Sequence, residues 1–333
     1  TVTQPTGLTA SITPKALTVT GLTANNKVYD ATTAVSLSGT AALLGAESPG
    51  TGSTSDGKPY TGDVVSVGGT ATGAVGDRHV GSNKAVTVAG CTLSGAQAGN
   101  YTVTQPTGLT ANITPKALTV TGLTAQNKVY DATTAVSLSG TAALLGAESP
   151  GTGSTSDGKP YTGDVVSVGG TAAGTFSNKD VGTGKAVTVT GCTLSGAQAG
   201  NYTVTQPTGL AANITPKALT VTGLTANNKV YDATTAVSLS GTAALLGAES
   251  PGTGSTSDGK PYTGDVVSVG GTATGAVGDR HVGSNKAVTV AGCTLSGAQA
   301  GNYTVTQPTG LTANITPKAL TVTGLTAQNK VYD

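Results

Sequence analysis

Charged side chains make up 10 per cent of the 333 residues, and 17 basic residues offset 16 acidic ones. That is well under the roughly 25 per cent of an average soluble chain. A balanced, sparsely charged surface has no electrostatic footprint for nucleic acid or an anionic membrane, and no apolar run approaches the roughly 20 residues that span a bilayer. Gly, at 50 residues, is about double its usual share.

The block KALTVTGLTA begins at Lys15, Lys116, Lys217 and Lys318, a period of 101 residues. Residues 1–14 read as the end of a preceding repeat, 15–115, 116–216 and 217–317 as three complete repeats, and 318–333 as the start of a fourth. The chain thus reads as a window on a longer array. The copies alternate. Repeats 1 and 3 (type A) share TGAVGDRHVGSNKAVTVAG, whereas repeat 2 (type B) carries AGTFSNKDVGTGKAVTVTG, and the fourth fragment follows type B through TAQN.

Within repeat 1 the apolar period is two, with Thr or Ser on alternate positions, which predicts half-buried strands near 16–23, 27–30, 34–38, 63–72, 85–93, 101–105 and 109–113. Turn clusters such as GSNK, SGAQAGN and TSDGKP separate them. Residues 40–48, TAALLGAES, are too short for a stable helix and read as one turn or a strand end. The fold expected is all-β, a tandem array of immunoglobulin-like β-sandwich repeats, with β-grasp-like repeats the alternative. In repeat 2, KALTVTGLT (116–124) echoes KAVTVTGCT (185–193). An extra residue at Gly122 and at Gly191, a Gly-marked bulge, would return Leu123 and Cys192 to the core face. Adjacent repeats join through NITPKALTV without a Gly or Ser spacer, so a stiff rod advancing about 35–40 Å per repeat is expected.

Titratable groups are few and dispersed. His79 and His281 face Asp180 at the matching position of repeat 2, which argues against a catalytic histidine and for a solvated turn. No nucleophile elbow, Cys pair, zinc signature or phosphate loop occurs, so the expectation is no enzyme and no cofactor or metal. Cys91, Cys192 and Cys293 occur once per repeat and read as small buried hydrophobes. Asn100, Asn201 and Asn302 open N-Y-T triplets, candidate glycosylation sites. A Lys to Asn or Asp isopeptide cross-link is a further covalent possibility, and the spacing singles out no pair.

Three Tyr per repeat must supply an outsized share of buried area. In the phrase K-V-Y-D, Tyr29, Tyr130 and Tyr231 are expected to plug the core or the junction, and Asp30, Asp131 and Asp232 to cap the following turn. The pair recurs at 332–333. Tyr60, Tyr161 and Tyr262 lie in a polar loop, DGKPYTGD, and are candidates for an exposed platform under a sugar ring.

The phrases KVYDATTAVSLSGTA, DVGTGKAVTVTG and TLSGAQAGNYTVTQPTGLTANITPKALTV resemble the YDG-type repeat, related to MBG repeats, of large bacterial filamentous-haemagglutinin-like adhesins. Two departures stand out. Ala31, Ala132 and Ala233 occupy the position where that family usually has Gly, and the loop at 45–63 is longer than usual. The resemblance implies extracellular or cell-surface display through two-partner secretion, and a stalk or fibre acting in attachment or biofilm matrix. Partners would be neighbouring copies of the protein or, alternatively, extracellular polysaccharide or host glycan bound multivalently.

Overall fold

The computed structural model describes residues 2–50, 52–151 and 153–332; Thr1, Thr51, Thr152 and Asp333 lie outside the described residues, and with Asp333 half of the fourth Tyr-Asp pair. The three repeats are almost wholly β, as the alternating pattern predicts. In repeat 1 the strands are β1 (Lys15–Ala24), β2 (Lys27–Val28), β3 (Ala34–Val35), β4 (Leu37–Leu43), β5 (Ser66–Val75), β6 (Gly81–Ser94), β7 (Tyr101–Thr104) and β8 (Thr110–Thr114). A single 3₁₀ turn, Ala98–Asn100, precedes β7. Residues 2–14 and 317–332 carry no strand and are exposed.

Each repeat builds two sheets, of three strands in the order β4-β1-β7 and of five in the order β2-β8-β6-β5-β3. The neighbours β1 and β7 run parallel, from Lys15 opposite Tyr101 to Thr18 opposite Thr104, and β2 lies parallel to β8. Parallel neighbours need a long crossover. The first strand of a repeat is therefore closed by its last third, and a repeat truncated before 101 leaves β1 half-paired. The run 40–48, read as a turn or strand end, instead continues β4 to Leu43 antiparallel to β1. Its mostly exposed face hides the alternation that would have marked it. The strand expected at 27–30 stops at Val28, although the Tyr29 N–H still donates to the Thr114 carbonyl at 2.8 Å.

The bulges are where the phase slip places them. In β1 the register shifts between Thr20 and Leu22, so Leu17 and Val19 face inward before Gly21, and Leu22 and Ala24 after it. In repeat 2, Gly122 and Gly191 have φ of 85° and 87°, and an added Cβ would collide with the carbonyl of Thr141 or Thr171 across the pair. Only Gly fits both the conformation and the space. Cys192 is buried beyond its bulge, its N–H and C=O both held by the side-chain amide of Gln206 at 3.0 and 2.7 Å.

The turn after β2 is a small knot. Asp30 accepts from the Thr32 N–H and hydroxyl, both at 2.9 Å, and from the Lys27 ammonium at 2.7 Å. Ala31 sits at φ 61°, Ala132 at 60° and Ala233 at 66°, a left-handed conformation that a Cβ disfavours. Ala31 is buried, whereas Ala233 is exposed. Ala233→Gly should therefore stabilise the protein by about 1 kcal/mol in urea unfolding. At Ala31 the same change should be close to neutral, because relief of strain is offset by roughly 0.8 kcal/mol for the buried methyl.

The chain divides into two compact units whose borders cut through repeat 2 rather than between repeats. One comprises Thr1–Gly122, Thr141–Ala172 and Gly191–Pro207; the other comprises Leu123–Gly140, Ala173–Thr190 and Thr208–Asp333. In the first, the five-stranded sheet of repeat 1 contributes Val35, Val75, Val86, Ala111 and Ile113 to a core completed by Leu118, Tyr161 and Tyr202 of repeat 2. The main apolar layer is thus shared across the boundary between repeats. In the second, Val237, Val277, Val288, Val290, Ala313 and Ile315 form the matching layer of repeat 3.

Candidate functional site

The tyrosines converge at the joint. Tyr29, carried by the segment after β2, is 0 per cent exposed, and its ring meets Tyr202 edge-on at 5.3 Å and Tyr161 at 5.9 Å. Its hydroxyl and that of Tyr202 both donate to Asp164 Oδ2, at 2.9 and 2.6 Å, while Arg78 pairs with Oδ1 at 2.7 Å. The second joint repeats this with changed letters. Tyr130 packs on Tyr303 and Tyr262 at 5.2 and 6.0 Å, Tyr130 and Tyr303 donate to Asp265 at 2.7 and 2.6 Å, and Lys179 replaces Arg78 at 2.6 Å. Both aspartate side chains are fully buried. A carboxylate is tolerable there because three charge-assisted hydrogen bonds meet it.

The type A and type B alternation falls on this joint. His79, read as a solvated turn residue, is exposed, yet its Nδ1 lies 3.1 Å from the side-chain nitrogen of Asn201. In the second joint Asp180 Oδ1 accepts from the Asn302 amide at 3.0 Å. Imidazole and carboxylate thus fill the same place. Asn201 and Asn302 are 4 and 5 per cent exposed, and their Oδ1 atoms accept the N–H of Val80 and Val181. This corrects the glycosylation reading at those two positions, since a glycan would displace the neighbouring repeat; Asn100 alone of the three is exposed.

The reading of an exposed Tyr platform is also corrected. Tyr161 and Tyr262 are each 1 per cent exposed, and Tyr60 is half-buried. Their loop is tied down by Glu47–Tyr60 bridging and by the Thr18 N–H donating to the Gly57 carbonyl at 2.9 Å. Beneath Tyr161 lies the Lys116 ammonium, 4.1 Å from the ring centroid, paired with Glu148 and, at 3.0 Å, with Asp157. Burial opposes the charge on Lys116, but the two carboxylates hold it above the usual lysine range. Burial likewise pushes Asp157 up, and Lys116 overrides it, bringing the carboxyl down to about 2. The same trio occurs as Lys15, Glu47 and Asp56, and as Lys217, Glu249 and Asp258.

In repeat 1 the counterparts of the joint residues, Tyr60, Asp63, Asn100 and Tyr101, line a cleft of about 530 Å³ together with Pro14. In repeat 3, Tyr231 is only half-buried and Asp232 is exposed, against a buried Tyr29 and half-buried Asp30 at a filled joint. Among the described residues no group of three or more His, Cys, Asp or Glu could hold a metal ion, and no helix is long and apolar enough to cross a membrane.

The joint carries a pH signature. Burial, and then the hydrogen bond to Asp265, raise the Tyr130 phenol above its usual range; burial pushes Asp265 up, but Lys179 and the two phenols override it and leave it low. A depressed carboxylate stabilises above its unfolded value, about 3.9, and the benefit is lost as pH falls through the folded value. A raised phenol stabilises below its unfolded value, about 10, and the benefit declines above that. Thermal melts should therefore be flat from about pH 5 to 9 and fall on both sides. A midpoint still unchanged at about pH 3 would contradict the buried carboxylate.

Sequence reasoning found the Tyr-Asp pairs but missed Asp164 and Asp265, whose only signal was an acidic residue immediately after the loop tyrosine's Thr-Gly. Comparison with family models matches residues 13–108, 114–209 and 215–310 to the YDG domain, with starts 101 residues apart. No curated protein and no solved structure matches the chain. With three tandem matches over most of its length, each contributing a tyrosine to these joints, the chain belongs to the YDG domain family.

Proposed function

We propose that this array is a non-enzymatic structural segment, a stalk or fibre, of a bacterial adhesin displayed outside the cell or on its surface after two-partner secretion, and that it acts in attachment or biofilm matrix. The observation that supports it is the shared core. Tyr29 of one repeat is sealed by Tyr161 and Tyr202 of the next, so successive repeats are folded into one another and not strung on linkers. One residue, Pro115, separates β8 from the strand Lys116–Ala125, and it fixes its own φ. Continuity of this kind suits reach and load. The loop tyrosines at 161 and 262, being inside, weigh against a glycan-binding array. Lateral pairing of edge strands would extend the same role to filaments.

Small-angle scattering of the three-repeat chain, with electron microscopy of native material, tests this. An extended particle with an axial repeat near 35–40 Å is expected. A compact profile, with the repeats folded back on one another, would overturn the stalk. Bundles with ordered side contacts would add self-assembly to it.

A further inference from the structure

We propose that Lys116 and Asp157 are joined by an isopeptide bond formed within the folded repeat, with Glu148 relaying the protons, and that Lys15–Asp56 with Glu47 and Lys217–Asp258 with Glu249 do the same. The geometry carries it. Lys116 is completely buried at the start of the first strand of its repeat, and its Nζ stands 3.0 Å from Asp157 Oδ1. Glu148 contacts the same Nζ, so the two carboxylates meet at the amine. The Tyr161 ring covers the amine at 4.1 Å, and both the lysine and the tyrosine are closed off from solvent. All three trios keep this arrangement, with Nζ to Asp distances of 3.0, 3.0 and 3.1 Å.

Condensation is the chemistry such a group invites. The resting state is an ion pair, so the reaction runs through a minor form in which Glu148 has moved one proton from Nζ to the Asp157 carboxyl. The freed amine lone pair then attacks Cγ of Asp157 from near contact distance, forming the C–N bond. Glu148 takes the second proton from nitrogen and returns it to the departing hydroxyl. The C–O bond breaks, water leaves, and Glu148 ends as the carboxylate it was. Nothing is oxidised or reduced, and no co-reactant is required. Low population of the reactive form makes the step slow, which suffices for a bond made once in the life of the protein.

The cross-link would tie the opening strand to the tip of the loop 146–161, the segment that also supplies Tyr161 to the joint. It does not depend on where the array is displayed or what it attaches to.

Mass spectrometry of the purified 333-residue chain under denaturing conditions decides it. The expected mass is lower than that of the sequence by three waters, about 18 Da each. Trypsin should fail after Lys15, Lys116 and Lys217 and release branched peptides joining each lysine to Asp56, Asp157 or Asp258. Glu148→Gln and, separately, Asp157→Ala should reduce the deficit from three waters to two while the strand signal in circular dichroism persists. A mass equal to that of the sequence, with cleavage after all three lysines, overturns the proposal whatever the variants do. Fragment ions placing the amide on Glu148, or a full deficit in Glu148→Gln, overturn the assigned roles.

Discussion

Asp265→Ala is expected to cost about 3–5 kcal/mol, the range for removing one partner of a buried charge pair. The wild-type carboxylate is completely buried and receives the Tyr130 and Tyr303 hydroxyls and the Lys179 ammonium. Alanine leaves two phenols without their acceptor and a cation without its counter-charge. Asp265→Asn keeps the shape and an acceptor oxygen but gives up the charge, and should fall between alanine and wild type. The chain supplies its own control. Asp63 receives the Tyr101 hydroxyl at 2.5 Å, but no tyrosine and no cation from a preceding repeat reach it among the described residues. Asp63→Ala should therefore cost only about 1 kcal/mol, the worth of one hydrogen bond. Urea midpoints for the two alanine variants give the comparison, and equal losses would show that the joint adds nothing to the aspartate's role within its own repeat.

That contrast also shows why the joint was hard to read in advance. In a tandem array, position i and position i + 101 carry the same residue, so the letters cannot say whether Tyr29 meets Tyr60 of its own repeat or Tyr161 of the next. Burial decides it: Tyr161 and Tyr262 are sealed beside a preceding Tyr-Asp segment, whereas Tyr60, which lacks one, is half-buried. The loop misled for a second reason. Its polar letters suggested an exposed tyrosine, but Glu148 and Asp157 are neutralised by the buried Lys116 of the opening strand, so polarity in the letters became burial in the fold. Histidine at 79 and aspartate at 180 looked chemically unrelated, yet each meets an Asn amide of the next repeat.

What could be read was local. The echo between 116–124 and 185–193 located both bulges, because a period of two must slip where Leu123 and Cys192 return to the core face. The Asp30 knot was legible for the same reason, since a side chain bonding its own backbone two residues on requires no tertiary information. Sheet order was not, because the parallel pairing of β1 with β7 joins residues 86 apart, Lys15 with Tyr101.

Tyr130→Ala should be as damaging as the loss of Asp265, at about 3–5 kcal/mol, the range for deleting a large buried aromatic. The ring is 0 per cent exposed and makes two edge-to-face contacts, and its loss also takes one hydrogen bond from Asp265. Such a cavity cannot collapse easily, because the surrounding side chains belong to two repeats held at fixed register by their own sheets. Tyr231 packs against the core of its own repeat, meets no tyrosine ring of another repeat among the described residues, and is half-buried. Tyr231→Ala should cost under about 1.5 kcal/mol, in line with partial burial. Amide hydrogen exchange separates local from global damage: in Tyr130→Ala, protection should fall in Lys128–Val129 and in Tyr303–Thr306, which belong to different repeats. If protection fell in only one of these strands, the tyrosine would stabilise its own repeat alone, and the claim that neighbouring repeats share a core would fail.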